Sequence, residues 1–390
     1  MPIRLHPFSM AKPRAPGSRR PAAVHLALIV GGLLAFSAAS AAEDWRWNLP
    51  RGFPVPWVPV DNPMTKAKVE LGRRLFFDQR LSVTGAYACA SCHDPARAFT
   101  DGRAQALGAT GEIHPRGTMP LVNVAYNASF GWANPEIRDL ETHAKIPLFR
   151  QEPVELGLLG RESEVMEEFE NDAETRAAFE RAFPKTKKRF SVLHVRQALA
   201  AYQRTLISTN SAYDRYVFYD EKEAMSASAI RGMEIFFSDR AGCAGCHPAP
   251  LFMSPAVYAG IEAEPRFHNT GLYNLDGKGR YPEGGTGVFE HTHHPGDMGR
   301  FRVPTLRNVA RTAPYMHDGS IPTLDEVVLH YASSGRNHGP TGERAARNPF
   351  QSPELKAFEL RTGERDDLVA FLESLSDEDP PYAVDADGSD

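Results

Sequence analysis

The sequence predicts an all-α protein in two repeated halves, joined by long ordered loops, with little sheet. Three observations carry this expectation. The chain has 390 residues, enough for two ordinary domains. Gly and Pro number 31 each, so structured turns must separate the helices. A segment also recurs: Gly72-Arg73-Arg74-Leu75-Phe76-Phe77-Asp78 is matched by Gly232-Met233-Glu234-Ile235-Phe236-Phe237-Ser238, and both read as short helices. With 42% hydrophobic and 24% charged residues, the chain is not wholly disordered.

The elements follow in chain order. Arg14, Arg19 and Arg20 precede an apolar stretch from Ala22 to Ala39 and the small residues Ser40-Ala41-Ala42. That order of basic, apolar and small residues predicts a secretory signal peptide over 1–42. No later segment has the length of a membrane span. Cleavage removes Arg4, Lys12, Arg14, Arg19 and Arg20, leaving 39 basic and 49 acidic residues, a net charge of −10. Such a chain disfavours nucleic acid and anionic lipid as partners.

Residues 43–64 are rich in Pro and Trp (Trp45, Trp47, Pro54, Pro56, Trp57) and predict an extended strap. Val165, Phe169, Ala173, Ala177 and Phe179 fall near helical spacing over 163–182, and 192–208 predicts a second amphipathic helix. A polar link at Tyr219–Met225 separates the halves, 65–218 and 219–378. Residues 264–303, rich in Gly, Pro and His, predict a long ordered loop. Helices are expected over 324–333 and 353–375, then a tail over 379–390.

The four cysteines form two CxxC pairs, each followed at once by His: Cys89-Ala90-Ser91-Cys92-His93 and Cys243-Ala244-Gly245-Cys246-His247. Two disulfides or a zinc site would use four cysteines. Neither accounts for the paired histidines. CxxCH lets two thiols bond the vinyl groups of one haem while the His reaches the iron. Two such motifs predict two covalently held c-type haems. The repeated phenylalanine pairs would wall them.

With these motifs, the repeat and the stretch Arg302-Val303-Pro304-Thr305-Leu306-Arg307-Asn308-Val309 … Thr312-Ala313-Pro314-Tyr315-Met316-His317-Asp318-Gly319, the chain resembles the bacterial dihaem cytochrome c peroxidase/MauG superfamily. Through Arg266-Phe267-His268-Asn269-Thr270-Gly271-Leu272-Tyr273-Asn274 it looks most like the MbnH branch. The resemblance implies two cytochrome c-like domains. The first would hold a peroxide-reactive haem on Cys89, Cys92 and His93, the second a haem on Cys243, Cys246 and His247. MauG-like proteins carry tyrosine fourteen residues after the His of the HDG motif, which makes Tyr331 the distal ligand of the second haem. A phenolate stabilises oxidised iron better than a thioether does. On residues alone His330, Met298 and Met316 compete with it.

At the first haem, relatives can block the iron with a loop histidine seven residues before an Arg that matches Arg116. Ala109 stands there and His114 is out of register, which implies a five-coordinate iron open to peroxide. Glu155 matches the catalytic glutamate, with Glu152 the alternative. His143 stands where relatives carry Gln, Pro147 matches a distal-pocket proline, and Trp132 matches the tryptophan between the haems. Thr312 and Pro314 match backbone donors to one calcium ion, whose asparagine ligand is replaced by Gly117.

The function implied is a periplasmic enzyme that uses hydrogen peroxide to reach a bis-ferryl state and oxidises a residue on a docked protein. For MbnH-like enzymes the residue is a tryptophan, converted to kynurenine, on a small copper-binding partner of the MbnP type. The alternatives are MauG-like maturation of an amine dehydrogenase, a detoxifying peroxidase fed by small electron-transfer proteins, and a non-enzymatic electron carrier. Trp45, Trp47 and Trp57 are candidates by composition for passing charge to the surface.

Overall fold

The computed structural model describes residues 45–50, 52–336 and 347–378. The expected signal peptide and tail lie outside these residues. Twelve α-helices are described: α1 Lys66–Phe76, α2 Cys89–Cys92, α3 Leu140–His143, α4 Lys145–Phe149, α5 Glu162–Asn171, α6 Ala173–Ala182, α7 Val192–Arg204, α8 Ala212–Phe218, α9 Ala227–Phe236, α10 Phe289–Thr292, α11 Leu324–Ala332 and α12 Glu364–Glu373. Among the described residues the sheet is two short antiparallel strands, β1 Phe267–His268 and β2 Phe301–Arg302, with Phe267 opposite Arg302. The fold is therefore mostly helical, as the sequence predicts.

Side-chain caps set where the helices begin. Thr65, Ser191, Ser226 and Thr323 accept from backbone N–H groups at the starts of α1, α7, α9 and α11. Two helix positions differ from expectation. Residues 163–182 form two helices, because Asp172 caps α6 and ends α5. The last helix starts at Glu364 rather than Pro353, since Gly363 takes a left-handed conformation, φ +83°, that breaks helical continuity.

The repeat has a packing basis. α1 crosses α7, and α9 crosses α12. A Cβ on Gly72 would lie 1.9 Å from the Ala198 carbonyl oxygen, and one on Gly232 would lie 1.9 Å from that of Asp367. Only glycine permits either crossing. One apolar core gathers Leu71, Leu75, Phe76, Phe99, Leu199 and Tyr202; a second gathers Tyr213, Phe236, Phe252, Leu368 and Phe371. Both GxxxFF segments thus deliver the first phenylalanine into a core beside its CxxCH loop.

The strap is extended as expected, but it is more than a surface cover. Phe53 is buried in a third cluster with Tyr126, Leu251 and Met253. The Tyr126 hydroxyl donates to the Pro54 carbonyl at 2.9 Å, and Ala259 N donates to the Val55 carbonyl at 2.8 Å. The long loop is ordered around buried Asn269, whose Nδ2 donates to Met298 O at 2.7 Å while its Oδ1 accepts from the Tyr281 hydroxyl at 2.8 Å. After β2 the chain is anchored by Arg307, which makes two 2.7 Å bonds to the Asp214 carboxylate, both side chains being fully buried. That pair fixes the segment carrying Arg302 against α8.

Among the described residues no helix is long and apolar enough to cross a membrane.

Candidate functional site

The two CxxCH loops share one local design. At the first, His93 donates Nδ1–H to the Phe99 carbonyl at 2.8 Å; at the second, His247 donates Nδ1–H to the Phe252 carbonyl at 3.0 Å. A carbonyl can only accept, so the proton sits on Nδ1 and each Nε2 keeps a lone pair for a metal. Phe99 and Phe252 present these carbonyls from φ +64° and +52°, a region a bulky side chain rarely enters. Burial lowers both imidazoles, that of His247 to about 4.

None of the four cysteines is in a disulfide, and burial pushes Cys89 up to about 12 and Cys92 and Cys243 up to about 11. Neither disulfide pairing nor a cluster of three or more metal-ligating side chains occurs among the described residues. Neutral thiols paired beside a histidine with a fixed tautomer fit covalent haem attachment. The space to receive the group is also present: a cavity of about 260 Å³ opens beside Cys243, Cys246 and His247.

Leu324, Val327, Val328 and Tyr331 on α11 also line this cavity, at the spacing of one helix face. Tyr331 faces the cavity, its phenol raised well above the usual range by desolvation and next by the two second-site thiols. Its hydroxyl has no hydrogen-bond partner among the described residues. His330 is buried and does not line the cavity, and Met298 packs elsewhere, against Leu272 and Tyr281. Met316 does line it. So does His317, buried and stacked on Phe301 with ring centroids 3.8 Å apart.

Around the first site, His143 and Pro147 lie four residues apart across the α3–α4 junction. Burial lowers His143 to about 4, and proximity to His93 and Arg302 adds to the effect. The Pro147 carbonyl accepts from Leu156 N at 2.9 Å, which ties the segment after Glu155 to α4. Burial raises the Glu155 carboxyl, and its charge in turn raises Cys89 and Cys92. Glu152 is exposed, whereas Glu155 is partly buried.

His114, a surface residue by its sequence context, is buried behind Glu155. Its Nε2 donates to the Val154 carbonyl at 3.3 Å, and its Nδ1 lies 4.0 Å from Glu155 Oε1. Arg150 Nη1 is also 4.0 Å from that oxygen. Ala109, at the place where relatives can carry a blocking histidine, donates its backbone N–H to the Glu155 carbonyl at 2.7 Å. Sequence spacing gave no sign of His114 because the contact spans 40 residues through a closed loop.

Trp132 lines the cavity and donates Nε1–H to the Gly117 carbonyl at 2.9 Å. Gly117, Thr312 and Pro314 line it too. They offer backbone carbonyls and no carboxylate, whereas calcium takes six to eight oxygens. The set falls short of a calcium cage unless water completes it.

Two CxxCH loops with metal-ready histidines on a mostly helical scaffold define a c-type protein that carries two haems. The pattern of the di-haem cytochrome c peroxidase family matches residues 66–222. A cytochrome-c peroxidase, IdrP1, of Denitromonas iodatirespirans is 36% identical over 374 residues, covering 92% of this chain and 94% of that one. The methylamine utilization protein MauG of Methylorubrum extorquens is 33% identical over 346 residues, covering 88% and 86%. The solved structure of a MauG-like protein associated with microbial copper homeostasis is 41% identical, covers 86% of this chain and 96% of its own, and superposes with a TM-score of 0.82. The chain belongs to the di-haem cytochrome c peroxidase/MauG family. It is a di-haem oxidoreductase with two haem c groups.

Proposed function

We propose that this chain is an exported, periplasmic peroxidase that reduces hydrogen peroxide with electrons drawn from a residue on a docked protein. The observation that carries this reading is Tyr331 lining the cavity beside the second CxxCH site, where a peroxidase fed by small cytochromes would carry methionine. Likeness to the MauG-like protein tied to copper homeostasis favours a tryptophan on a small copper-binding partner of the MbnP type, oxidised to kynurenine.

When bound, the haems supply the irons through which electrons pass from the partner to peroxide. His93 and His247 would hold them from one side, Cys89, Cys92, Cys243 and Cys246 covalently, and Tyr331 would cap the second. Glu155, raised by burial and backed by His114, suits a group that takes a proton from one peroxide oxygen and returns it to the other. His143, neutral and buried, and Pro147 would shape the same pocket. Trp132, whose indole N–H is held by the Gly117 carbonyl, would relay charge between the two sites. Thr312 and Pro314, with water, would take the calcium ion. We read 65–218 and 219–378 as the two cytochrome c-like domains.

The test is peroxide added to the haem-loaded protein with its partner, read by mass spectrometry of the partner. Peroxide-dependent modification of one tryptophan is expected. An unmodified partner, with fast oxidation of reduced cytochrome c, would assign a detoxifying peroxidase instead. The 33% identity to MauG favours maturation of an amine dehydrogenase as the second reading.

A further inference from the structure

Arg302 is a buried cation with no anionic partner among the described residues. Its side chain enters from β2 and lines the cavity beside Trp132. Its contacts are the Asn127 Oδ1 at 2.9 Å, the Gly131 carbonyl at 3.4 Å, the Val303 carbonyl at 3.5 Å and Met119 Sδ at 3.9 Å. Only the first is a full-strength hydrogen bond. Among the described residues no carboxylate lies within ion-pair distance of it. Arg307, five positions on, shows the contrast: equally buried, it has Asp214 in a two-bonded pair.

A guanidinium removed from water without a counter-charge is costly, and burial alone pushes Arg302 down to about 10. Proteins keep such a group where an anion completes the site. A second feature points the same way. Thr118 Oγ1, in the same cavity wall, is buried with no hydrogen-bond partner. The lining thus includes a cation without a counter-charge, a hydroxyl without a partner, and apolar α11 residues.

We propose that Arg302 is the counter-ion of a haem carboxylate, its planar fork gripping a propionate oxygen pair between the two sites. Its position allows two sources. It lines the second-site cavity, and it also acts electrostatically on His143 and touches Met119, both in the first half. The shared chemistry is a carboxylate received by a guanidinium. Because Arg302 N also donates to the Trp132 carbonyl at 2.9 Å, the same residue would tie haem placement to the tryptophan. The inference rests on the bound haems and not on the identity of any partner protein.

The test uses the haem-loaded protein. Reduction midpoints of both haems are measured by spectroelectrochemical titration in wild type, Arg302→Lys and Arg302→Gln. Loss of a nearby positive charge disfavours the reduced iron, so Arg302→Gln should move one midpoint to lower potential, and Arg302→Lys should retain most of the wild-type value. The haem that moves identifies the source. Equal midpoints in wild type and Arg302→Gln, at equal haem content, would overturn the proposal. A crystal structure of the haem-loaded wild type decides the matter if Arg302→Gln does not accumulate. A propionate oxygen should lie within about 3 Å of the guanidinium; an Arg302 facing only water, Asn127 and carbonyls would sink the idea.

Discussion

The Nδ1–H of His247 is donated to the carbonyl of Phe252, 3.0 Å away, and the residue that offers the carbonyl sits at φ +52°. The His93–Phe99 pair repeats both features in the first half. Two strained phenylalanines doing the same task at equivalent places mark these histidines as oriented ligands. Cys246→Ser and Cys92→Ser each leave one thiol per site. Haem staining on a denaturing gel should fall by about half for a double Cys→Ser replacement at one site, because each CxxCH holds one haem. Unchanged staining would show attachment elsewhere.

The distal glutamate has a direct test. Glu155→Gln should slow the reaction with peroxide by about 10²–10⁴-fold in stopped-flow absorbance, the range for a lost acid/base group. Glu152→Gln, at an exposed position, should stay within about two-fold of wild type. A larger loss at Glu152 would reverse the assignment.

The same carboxyl sets a pH dependence. Burial raises Glu155 above the ordinary carboxylate value of 4.5. It must be ionised to accept the peroxide proton, so the second-order rate should rise with pH through a midpoint above 4.5. In Glu155→Gln that inflection should vanish. Removing the nearby Arg150 charge, which lowers the group, should move the midpoint upward in Arg150→Gln.

The helix crossings give a stability prediction. Gly232→Ala and Gly72→Ala put a methyl 1.9 Å from a carbonyl oxygen, so a helix must shift. Overpacking of this kind costs about 1–3 kcal/mol or more. The thermal midpoint should fall in both variants, whereas Gly245→Ala, with open space at its Cβ, should change little.

Much of the scaffold was legible because its signals are local. CxxCH and GxxxFF act within one or two helical turns; α1 and α9 contain most of the repeated segment, and α11 lies where a helix was expected. The break at Asp172 and the late start at Glu364 were missed because apolar spacing carries across a cap that a single Asp or Gly imposes. The pocket was harder to read. Glu152 and Glu155 differ by three positions and are alike in sequence; their difference in exposure comes from how the loop folds, which spacing does not show. His114 and Arg302 gave no pattern, since their importance lies in burial and in partners far along the chain.

The most direct measurement is the electron paramagnetic resonance spectrum of the fully oxidised, haem-loaded protein, taken beside Tyr331→Met, with near-infrared absorbance after peroxide. The account predicts one high-spin and one low-spin ferric haem in wild type, and a near-infrared band that Tyr331→Met loses. Two low-spin signals, or a band that survives the replacement, would contradict an open first iron paired with a tyrosine-capped second one.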